Sequence, residues 1–129
     1  MSRVILDASA VLALTRSEQG ADKVADVLVG SAMSTVTLSE VVGYYARNGA
    51  SEDQIHAILD VLRIERVPFD DELAYIAGLI LPKTRGAGLS FGDRACLAVA
   101  LRTGAKALTA DRAWSRIADA VGVEIEVIR

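Results

Sequence analysis

Acidic side chains stand at four positions of this chain where an α/β fold would bring them together. They follow apolar runs or open helical segments, and they are Asp7, Glu40, Asp93 and Asp111. If the runs that end just before Asp7 and Asp111 are neighbouring parallel strands, the carboxylates meet at the carboxyl edge of the sheet. Open α/β sheets bind their ligands at that edge. Several carboxylates in one crevice call for a cation, and a cation held by oxygen indicates phosphate chemistry.

Each of these acids also has an ordinary structural explanation. The segments Thr37 to Glu40 and Ser90 to Asp93 have the spacing of a capping box, in which the acid caps its own helix. Asp7 and Asp111 precede helical stretches and fit as plain N-caps, worth roughly 1 kcal/mol each. If the acids gather, however, each close pair repels by roughly 3 kcal/mol at an effective dielectric of about 20, which favours a bound cation. Singly, each acid is open to both interpretations.

The remaining side chains that could bind metal favour a hard cation. His56 is the only histidine, and it lies in an amphipathic segment far from the acids in sequence, where we expect it at the surface. Cys96 is the only cysteine and lies in an apolar stretch, so we expect an inert core residue and no disulfide within the chain. A structural zinc site is therefore not expected. The predicted ion is Mg²⁺, with Mn²⁺ as the alternative.

Short apolar runs alternate with helical patterns along the chain. The predicted strands are Val4 to Leu6, Ala32 to Val36, Ile64 to Val67, Lys106 to Thr109 and Val123 to Val127. The predicted helices are Ala10 to Leu14, Gln19 to Val29, Thr37 to Arg47, Ser51 to Leu62, Asp70 to Leu81, Ser90 to Arg102 and Arg112 to Ala120. Pro82 and Gly104 should end their helices, with a loop over Thr84 to Leu89. This order predicts one α/β domain over residues 1–129, a three-layer α/β/α sandwich with a mostly parallel central sheet.

Composition narrows the function classes. Just over half of the 129 residues are hydrophobic and about a quarter are charged, which is typical of one globular domain. No apolar run approaches the ~20 residues that span a bilayer, and the start, Met1 to Val4, lacks the long apolar region of a signal peptide. We therefore expect no membrane association and a cytoplasmic location. A net charge of −3 argues against a large non-specific nucleic-acid surface, although a local patch can supply phosphate contacts.

Polar neighbours of the acids are candidate substrate contacts. Ser9 and Thr109 each lie two positions from an acid, where each either donates a hydrogen bond at the site or serves its own strand or helix. Arg94 and Arg112 directly follow site acids and are candidate clamps on a phosphate backbone, or partners of neighbouring acids. Trp114 is expected to pack the last helix onto the sheet, with stacking on a base as the alternative.

The chain resembles PIN-domain ribonucleases, and most closely the VapC-type toxins of bacterial and archaeal toxin–antitoxin pairs. The resemblance covers essentially the whole chain and rests on the segments Val4 to Ala10, Ser39 to Val41, Leu89 to Arg94 and Leu108 to Trp114. It implies a PIN-like fold in which Asp7 and Asp93 are the principal metal ligands and Glu40 and Asp111 complete an acidic pocket. Ser9 and Thr109 would lie beside that pocket. The resemblance also implies a homodimer and a small cognate antitoxin that blocks the site, often with an inserted arginine.

The predicted function is Mg²⁺-dependent hydrolysis of RNA phosphodiester bonds by a toxin that its antitoxin inhibits. Glu40 or Asp111 would orient the attacking water or accept its proton. The main alternative is a binding module that has the PIN fold without catalytic activity. A phosphotransferase of the haloacid-dehalogenase type is disfavoured because position 9 is Ser and not a second Asp. A receiver-like phosphoacceptor is disfavoured because Asp7 stands without an adjacent acid.

Overall fold

A parallel sheet forms the centre of the protein in a computed structural model that describes residues 3–129. Its strands are β1 (Val4–Leu6), β2 (Ser31–Ser34), β3 (Glu65–Val67), β4 (Lys106–Thr109) and β5 (Ile125–Val127). The strand order is β3-β2-β1-β4-β5, and every neighbouring pair is parallel. The carboxyl ends of β1 and β4 therefore lie side by side, as the placement of the acids required. Met1 and Ser2, where the predicted domain starts, lie outside the described residues.

Helices cover both faces of this sheet. They are α1 (Ala8–Thr15), α2 (Ala21–Asp26), α3 (Thr35–Arg47), α4 (Glu52–Leu59), α5 (Asp71–Leu79), α6 (Leu81–Thr84), α7 (Phe91–Thr103) and α8 (Ala118–Val121). Successive residues of a strand point to opposite faces. Ile5 accordingly joins the core that contains Leu97 and Trp114, whereas Leu6 joins the core that contains Val11 and Val24. The predicted three-layer α/β/α sandwich is confirmed.

The start of α3 differs from the prediction. Ser34 ends β2 and caps the helix, because its hydroxyl accepts a hydrogen bond from the backbone N–H of Val36 at 3.0 Å. The helix therefore begins at Thr35, and Val36 belongs to the helix and not to the strand. Thr37 lies inside the helix with a buried side chain, so the capping box predicted from Thr37 to Glu40 was wrong. Glu40 instead lies in the middle of this 13-residue helix.

Several other predicted boundaries were also wrong. Pro82 does not end a helix that runs to Leu81, because α5 ends at Leu79 and Pro82 lies in the first turn of α6, where its missing N–H costs nothing. The predicted loop after Thr84 contains a 3₁₀ turn over Arg85–Ala87. The predicted last helix is a 3₁₀ turn over Arg112–Arg116 followed by the short helix α8.

Three residues that could have had a chemical role lie where the sequence predicted them, at the surface or in the core. His56 is exposed on α4 and forms ion pairs with Glu52 and Asp60. Cys96 is buried as a free thiol. Trp114 has no exposed surface, so its packing role is confirmed and its buried ring is not available for stacking on a base. Within residues 3–129, no helix has the length and hydropathy needed to cross a membrane.

Gly20 ties the start of α2 to the end of the chain, and its replacement should be costly. Its φ is 97°, and a Cβ added there would lie 2.8 Å from the backbone oxygen of Ile128. That backbone is itself held by a 2.9 Å hydrogen bond from Ile128 N–H to the carbonyl of Thr109. We expect Gly20→Ala to lower the free energy of unfolding by about 3 kcal/mol or more, through left-handed strain and overpacking together.

Gly30→Ala is the matched control for this prediction. Gly30 also has a positive φ, 85°, but a Cβ there would meet no atom within 4 Å. Only the conformational strain, about 1 kcal/mol, should be lost. Urea denaturation of the two variants measures the difference, and equal losses would show that the contact with Ile128 does not constrain position 20.

Candidate active site

Asp7 lies buried at the carboxyl edge of the sheet, directly after β1. Its backbone N–H donates to the carbonyl of Leu108 at 3.2 Å, which extends the pairing of β1 with β4. Its side chain caps α1, because Oδ1 accepts the backbone N–H of Ala10 at 2.8 Å. The predicted N-cap role is confirmed. Only 4% of the residue is exposed, so the cap alone leaves a carboxylate in an unusually dry position.

Two hydroxyl groups hold the Asp7 carboxylate from either side. Ser9 donates to Oδ1 at 2.7 Å, and Thr109 donates to Oδ2 at 2.6 Å. Each hydroxyl oxygen also accepts a backbone N–H from the turn after β4, Ser9 from Ala110 at 2.8 Å and Thr109 from Asp111 at 3.0 Å. Accepting from an amide leaves the hydroxyl proton free to point at Asp7. Of the two roles left open for Ser9 and Thr109, the structure shows the hydrogen bond at the site, and these two bonds fix the carboxylate between the ends of β1 and β4.

Burial makes the ionised form of Asp7 unfavourable. Desolvation raises the pKa of Asp7 from 3.8 to about 6, although the hydrogen bonds from Thr109, Ser9 and Ala10 act in the opposite direction. The negative charge of Asp93 raises this pKa further. A positive charge placed beside Asp7 would remove the penalty, since an opposite charge favours the ionised form.

Asp93 connects the acids of the pocket electrostatically. It occupies the first turn of α7 in the predicted capping box, where Oδ2 accepts the backbone N–H of Ser90 at 2.9 Å and the Ser90 hydroxyl accepts the N–H of Asp93 at 3.2 Å. Burial raises the pKa of Asp93, and the charge of Asp111 adds to that rise. Asp93 in turn raises the pKa values of Asp7 and Glu40. Asp93 thus interacts electrostatically with each of the other three predicted acids at this edge of the sheet.

Glu40 and Asp111 are exposed at the rim of this pocket. Although the residue as a whole is exposed, partial desolvation of its carboxyl group, followed by the charge of Asp93, raises the pKa of Glu40. The carboxyl of Glu40 lies directly against Gly92, a residue that the sequence analysis did not single out. An isolated glycine in a helical segment was the available signal, because such a glycine often marks a close contact. Asp111 caps the 3₁₀ turn that follows β4, since its Oδ1 accepts the N–H of Ala113 at 2.9 Å.

The four acids have no positive partner within the part of the chain that the structure describes. The ion pairs of residues 3–129 engage other acids, namely Glu18, Glu52, Asp60, Glu65, Asp70, Glu72 and Glu126. Carboxylates that raise one another's pKa values without a counter-charge are suited to receive a cation from outside the chain.

The two arginines predicted as phosphate clamps have other contacts. Arg94 donates from Nη1 to the carbonyl of Ala77 at 2.9 Å, and its guanidinium lies 5.7 Å from the ring centre of Phe91. Arg94 therefore ties α7 to α5. Arg112 donates from Nε to the carbonyl of Arg129 at 3.2 Å and is exposed. Neither arginine is ion-paired with a neighbouring acid among the described residues.

The donor set of the pocket fits a hard divalent cation. Asp7 and Asp93 each keep at least one oxygen lone pair free of protein hydrogen bonds, and carboxylate oxygen suits Mg²⁺ or Mn²⁺. Among residues 3–129, no three Asp, Glu, His or Cys side chains are grouped as a preformed metal site. Mg²⁺ commonly binds through one or two carboxylates and retains several waters, so a two-carboxylate site meets its needs.

A mostly apolar cleft lies away from the four acids. It has a volume of about 340 Å³ and is lined by residues of α3 and α4 with a few neighbours, namely Leu38, Val42, Ala46, Ala50, Glu52, Ile55, His56, Leu59, Asp60 and Arg66. Its wall is mostly apolar and contains none of the four site acids. The acidic site at the sheet edge and this cleft are therefore separate features.

Comparison with known proteins decides the family. The profile of the PIN domain matches residues 4–120. The chain belongs to the PIN domain family. A comparison with curated proteins found no match.

Solved structures share the fold of this PIN domain over nearly its whole length. The structure of DNA-bound VapBC from Salmonella typhimurium contains a chain with a TM-score of 0.78 and 20% identity, and the match covers 100% of both chains. A chain of VapBC-5 from Mycobacterium tuberculosis matches with a TM-score of 0.69 and 23% identity, and the match covers 98% of this chain and 99% of the other. A chain of VapBC-1 from nontypeable Haemophilus influenzae matches with a TM-score of 0.70 and 20% identity, and the match covers 98% of each chain. Similarity at these identities establishes the PIN fold, in agreement with the prediction.

The two hydroxyls of this PIN domain give a test of the pocket that leaves its acids intact. Ser9→Ala and Thr109→Val each remove one hydrogen bond to Asp7. Loss of a group that orients a metal ligand typically costs about 10–100-fold in metal affinity or activity. We expect a loss in that range for each variant, measured by Mg²⁺ titration and RNA cleavage. Thr103→Val is the control, because its hydroxyl bonds only within the far end of α7. Equal effects of all three substitutions would contradict the role given to Ser9 and Thr109.

Proposed function

We propose that this PIN domain is a Mg²⁺-dependent endoribonuclease that acts as the toxin of a toxin–antitoxin pair. The observation that carries the proposal is the buried Asp7 carboxylate, oriented by two hydroxyls beside Asp93. Burial of this carboxylate makes its ionised form unfavourable in the folded protein without a bound cation. Site carboxylates held at an energetic cost are characteristic of catalytic positions.

Asp7 and Asp93 would hold the ion, with Glu40 and Asp111 supporting it from the rim. When bound, Mg²⁺ would lower the pKa of an attacking water and offset negative charge on the phosphate oxygens. Ser9 and Thr109 would keep Asp7 in the orientation that binding requires. The fixed backbone amides of Ala110 and Asp111 in turn hold these hydroxyls.

Glu40 is the preferred proton acceptor for the attacking water. Its raised pKa brings it closer to neutral pH than an ordinary glutamate, and a base near the working pH is more effective. Asp111 is less suited to this task, because one of its oxygens is already bonded to the N–H of Ala113. Arg112, exposed next to Asp111, is proposed to contact the RNA backbone. Arg94 is a weaker candidate for that contact, since it is engaged with Ala77.

An antitoxin is the proposed protein partner. The solved structures that match in fold include VapBC from Salmonella typhimurium and a toxin–antitoxin complex from Klebsiella pneumoniae. The pocket itself supports such a partner, because acids without an ion pair would accept a cationic side chain as well as a metal ion. An inserted arginine would therefore compete with Mg²⁺. A homodimer and a cytoplasmic location complete the proposal, and light scattering after size-exclusion chromatography measures the former.

Cleavage of RNA by the purified protein tests the function. Total RNA incubated with the protein and Mg²⁺ should yield new ends at a restricted set of positions, which sequencing of those ends identifies. EDTA should abolish the products, and added Mg²⁺ should restore them. Cleavage that persists in EDTA would exclude the metal mechanism. Binding of Mg²⁺ in calorimetry without any cleavage would instead support the alternative of an inactive PIN module.

A further inference from the structure

We infer that Gly92 is a positioning residue for Glu40: its missing side chain leaves the space that the Glu40 carboxyl group occupies. Gly92 is buried in the first turn of α7, two residues after the cap residue Ser90 and directly before Asp93. Glu40 reaches this turn from the middle of α3. The catalytic consequence of the inference rests on the proposed function, whereas the contact itself does not.

The contact leaves no space for a methyl group at position 92. A Cβ added to Gly92 would lie 2.5 Å from both Cδ and Oε2 of Glu40, and closer still to its Oε1. All three nearest atoms belong to the same carboxyl group. Since unbonded heavy atoms do not approach this closely, Gly92→Ala would force the Glu40 carboxyl away from its place. The long, exposed side chain of Glu40 can move at little cost to the fold, so the change should fall on the pocket.

The backbone supplies no other reason for glycine at this position. The φ angle of Gly92 is not positive. The glycines that do have a positive φ are Gly20, Gly30, Gly49, Gly88, Gly104 and Gly122. Alanine has the higher helix propensity, so a helix position of ordinary φ without a tertiary contact would favour alanine. At the other helical glycines, Gly43 in α3 and Gly78 in α5, an added Cβ would meet no atom within 4 Å, so the close contact distinguishes Gly92.

The space at Gly92 lets the Glu40 carboxyl group lie against the first turn of α7, near Asp93. A proton acceptor for the attacking water is needed at this place. Gly92 acts through Glu40 and touches neither water nor RNA in this proposal.

A double-mutant cycle between Gly92→Ala and Glu40→Ala tests the inference, with Gly78→Ala as the matched control. Gly78→Ala should raise the urea midpoint by roughly 0.3–0.6 M and leave RNA cleavage unchanged. Gly92→Ala should reproduce most of the loss caused by Glu40→Ala, about 100-fold in kcat with KM nearly unchanged. In the Glu40→Ala background, Gly92→Ala should cause no further loss and should raise the urea midpoint as the control does.

The two readouts separate the inference from the proposed function. Gly92→Ala that changes cleavage and stability equally in both backgrounds would overturn the inference, because the effect would not pass through Glu40. Full activity of Gly92→Ala would overturn it as well. A wild-type protein that cleaves no RNA would overturn the proposed function, while the stability arm would still decide whether Glu40 occupies the space at Gly92.

Discussion

Asp7→Asn should abolish RNA cleavage and at the same time make the metal-free protein more stable at neutral pH. Catalysis should fall by more than about 100-fold, since loss of a residue that merely orients a ligand already costs about 10–100-fold. The gain in stability follows from the buried charge. A rise in the pKa of Asp7 from 3.8 to about 6 corresponds to roughly 3 kcal/mol against the ionised form in the folded state. Asparagine is neutral, so this penalty disappears.

The pH dependence gives the sign of this effect. Between about pH 4 and pH 6, the unfolded chain ionises Asp7 while the folded protein keeps it protonated. The folded state then binds more protons, so the free energy of unfolding of the metal-free wild type falls as pH rises through this window. Below the window both states are protonated, and the contribution of Asp7 is fully favourable. Asp7→Asn should lack this decline, so the two proteins should differ most above pH 6.

Urea denaturation in EDTA at several values between pH 4 and pH 7.5 measures the difference. Asparagine can still accept the N–H of Ala10 and the hydroxyl of Ser9 through its amide oxygen, so α1 should keep its cap. Asp70→Asn is a control for loss of a capping carboxylate, because Asp70 caps α5 outside the pocket. That control should be less stable than the wild type at neutral pH. An Asp7→Asn protein that is also destabilised there would contradict the predicted cost of the buried charge.

The parts of the fold that local sequence determines were predicted well. β4 has the predicted bounds Lys106–Thr109, because its apolar run is delimited by the helix stop at Gly104 and by the cap at Asp111. The start of α3 was missed for a local reason. No glycine, proline or charged residue separates β2 from the helix, and Ser34 serves both as the last strand residue and as the cap. A change of period at a single residue gives little signal in such a short strand.

The site was predictable to the extent that strand and helix order determines it. Asp7 and Asp111 follow β1 and β4, and adjacent parallel strands necessarily place their ends together. The contacts of Glu40 with Gly92 and of Arg94 with Ala77 were not predictable, because each joins two helices that are distant in sequence. Such contacts depend on how side chains of different helices meet, and no periodicity in one segment records them. For the same reason the central electrostatic position of Asp93 emerges only in three dimensions.

Mg²⁺ should stabilise the wild-type protein strongly and leave Asp93→Asn almost unaffected. A ligand at about 100 times its dissociation constant adds roughly 2.7 kcal/mol to the free energy of unfolding when it binds only the folded state. Asp93 should supply much of that affinity, because its charge acts on both Asp7 and Glu40 and because its Oδ1 is free of hydrogen bonds from the described residues. Asparagine retains an oxygen for the N–H of Ser90, so the capping box of α7 should survive.

Thermal or urea denaturation with and without Mg²⁺ measures this response, and calorimetry measures the affinity. Asp70→Asn is again the matched control, since it removes a helix-capping carboxylate that pairs with Arg102 and lies outside the pocket. It should respond to Mg²⁺ as fully as the wild type. The response should also grow with pH through about 6, because Asp7 must lose its proton before it can bind the ion. A Mg²⁺ response of equal size in Asp93→Asn would place the ion elsewhere and remove Asp93 from the proposed ligands.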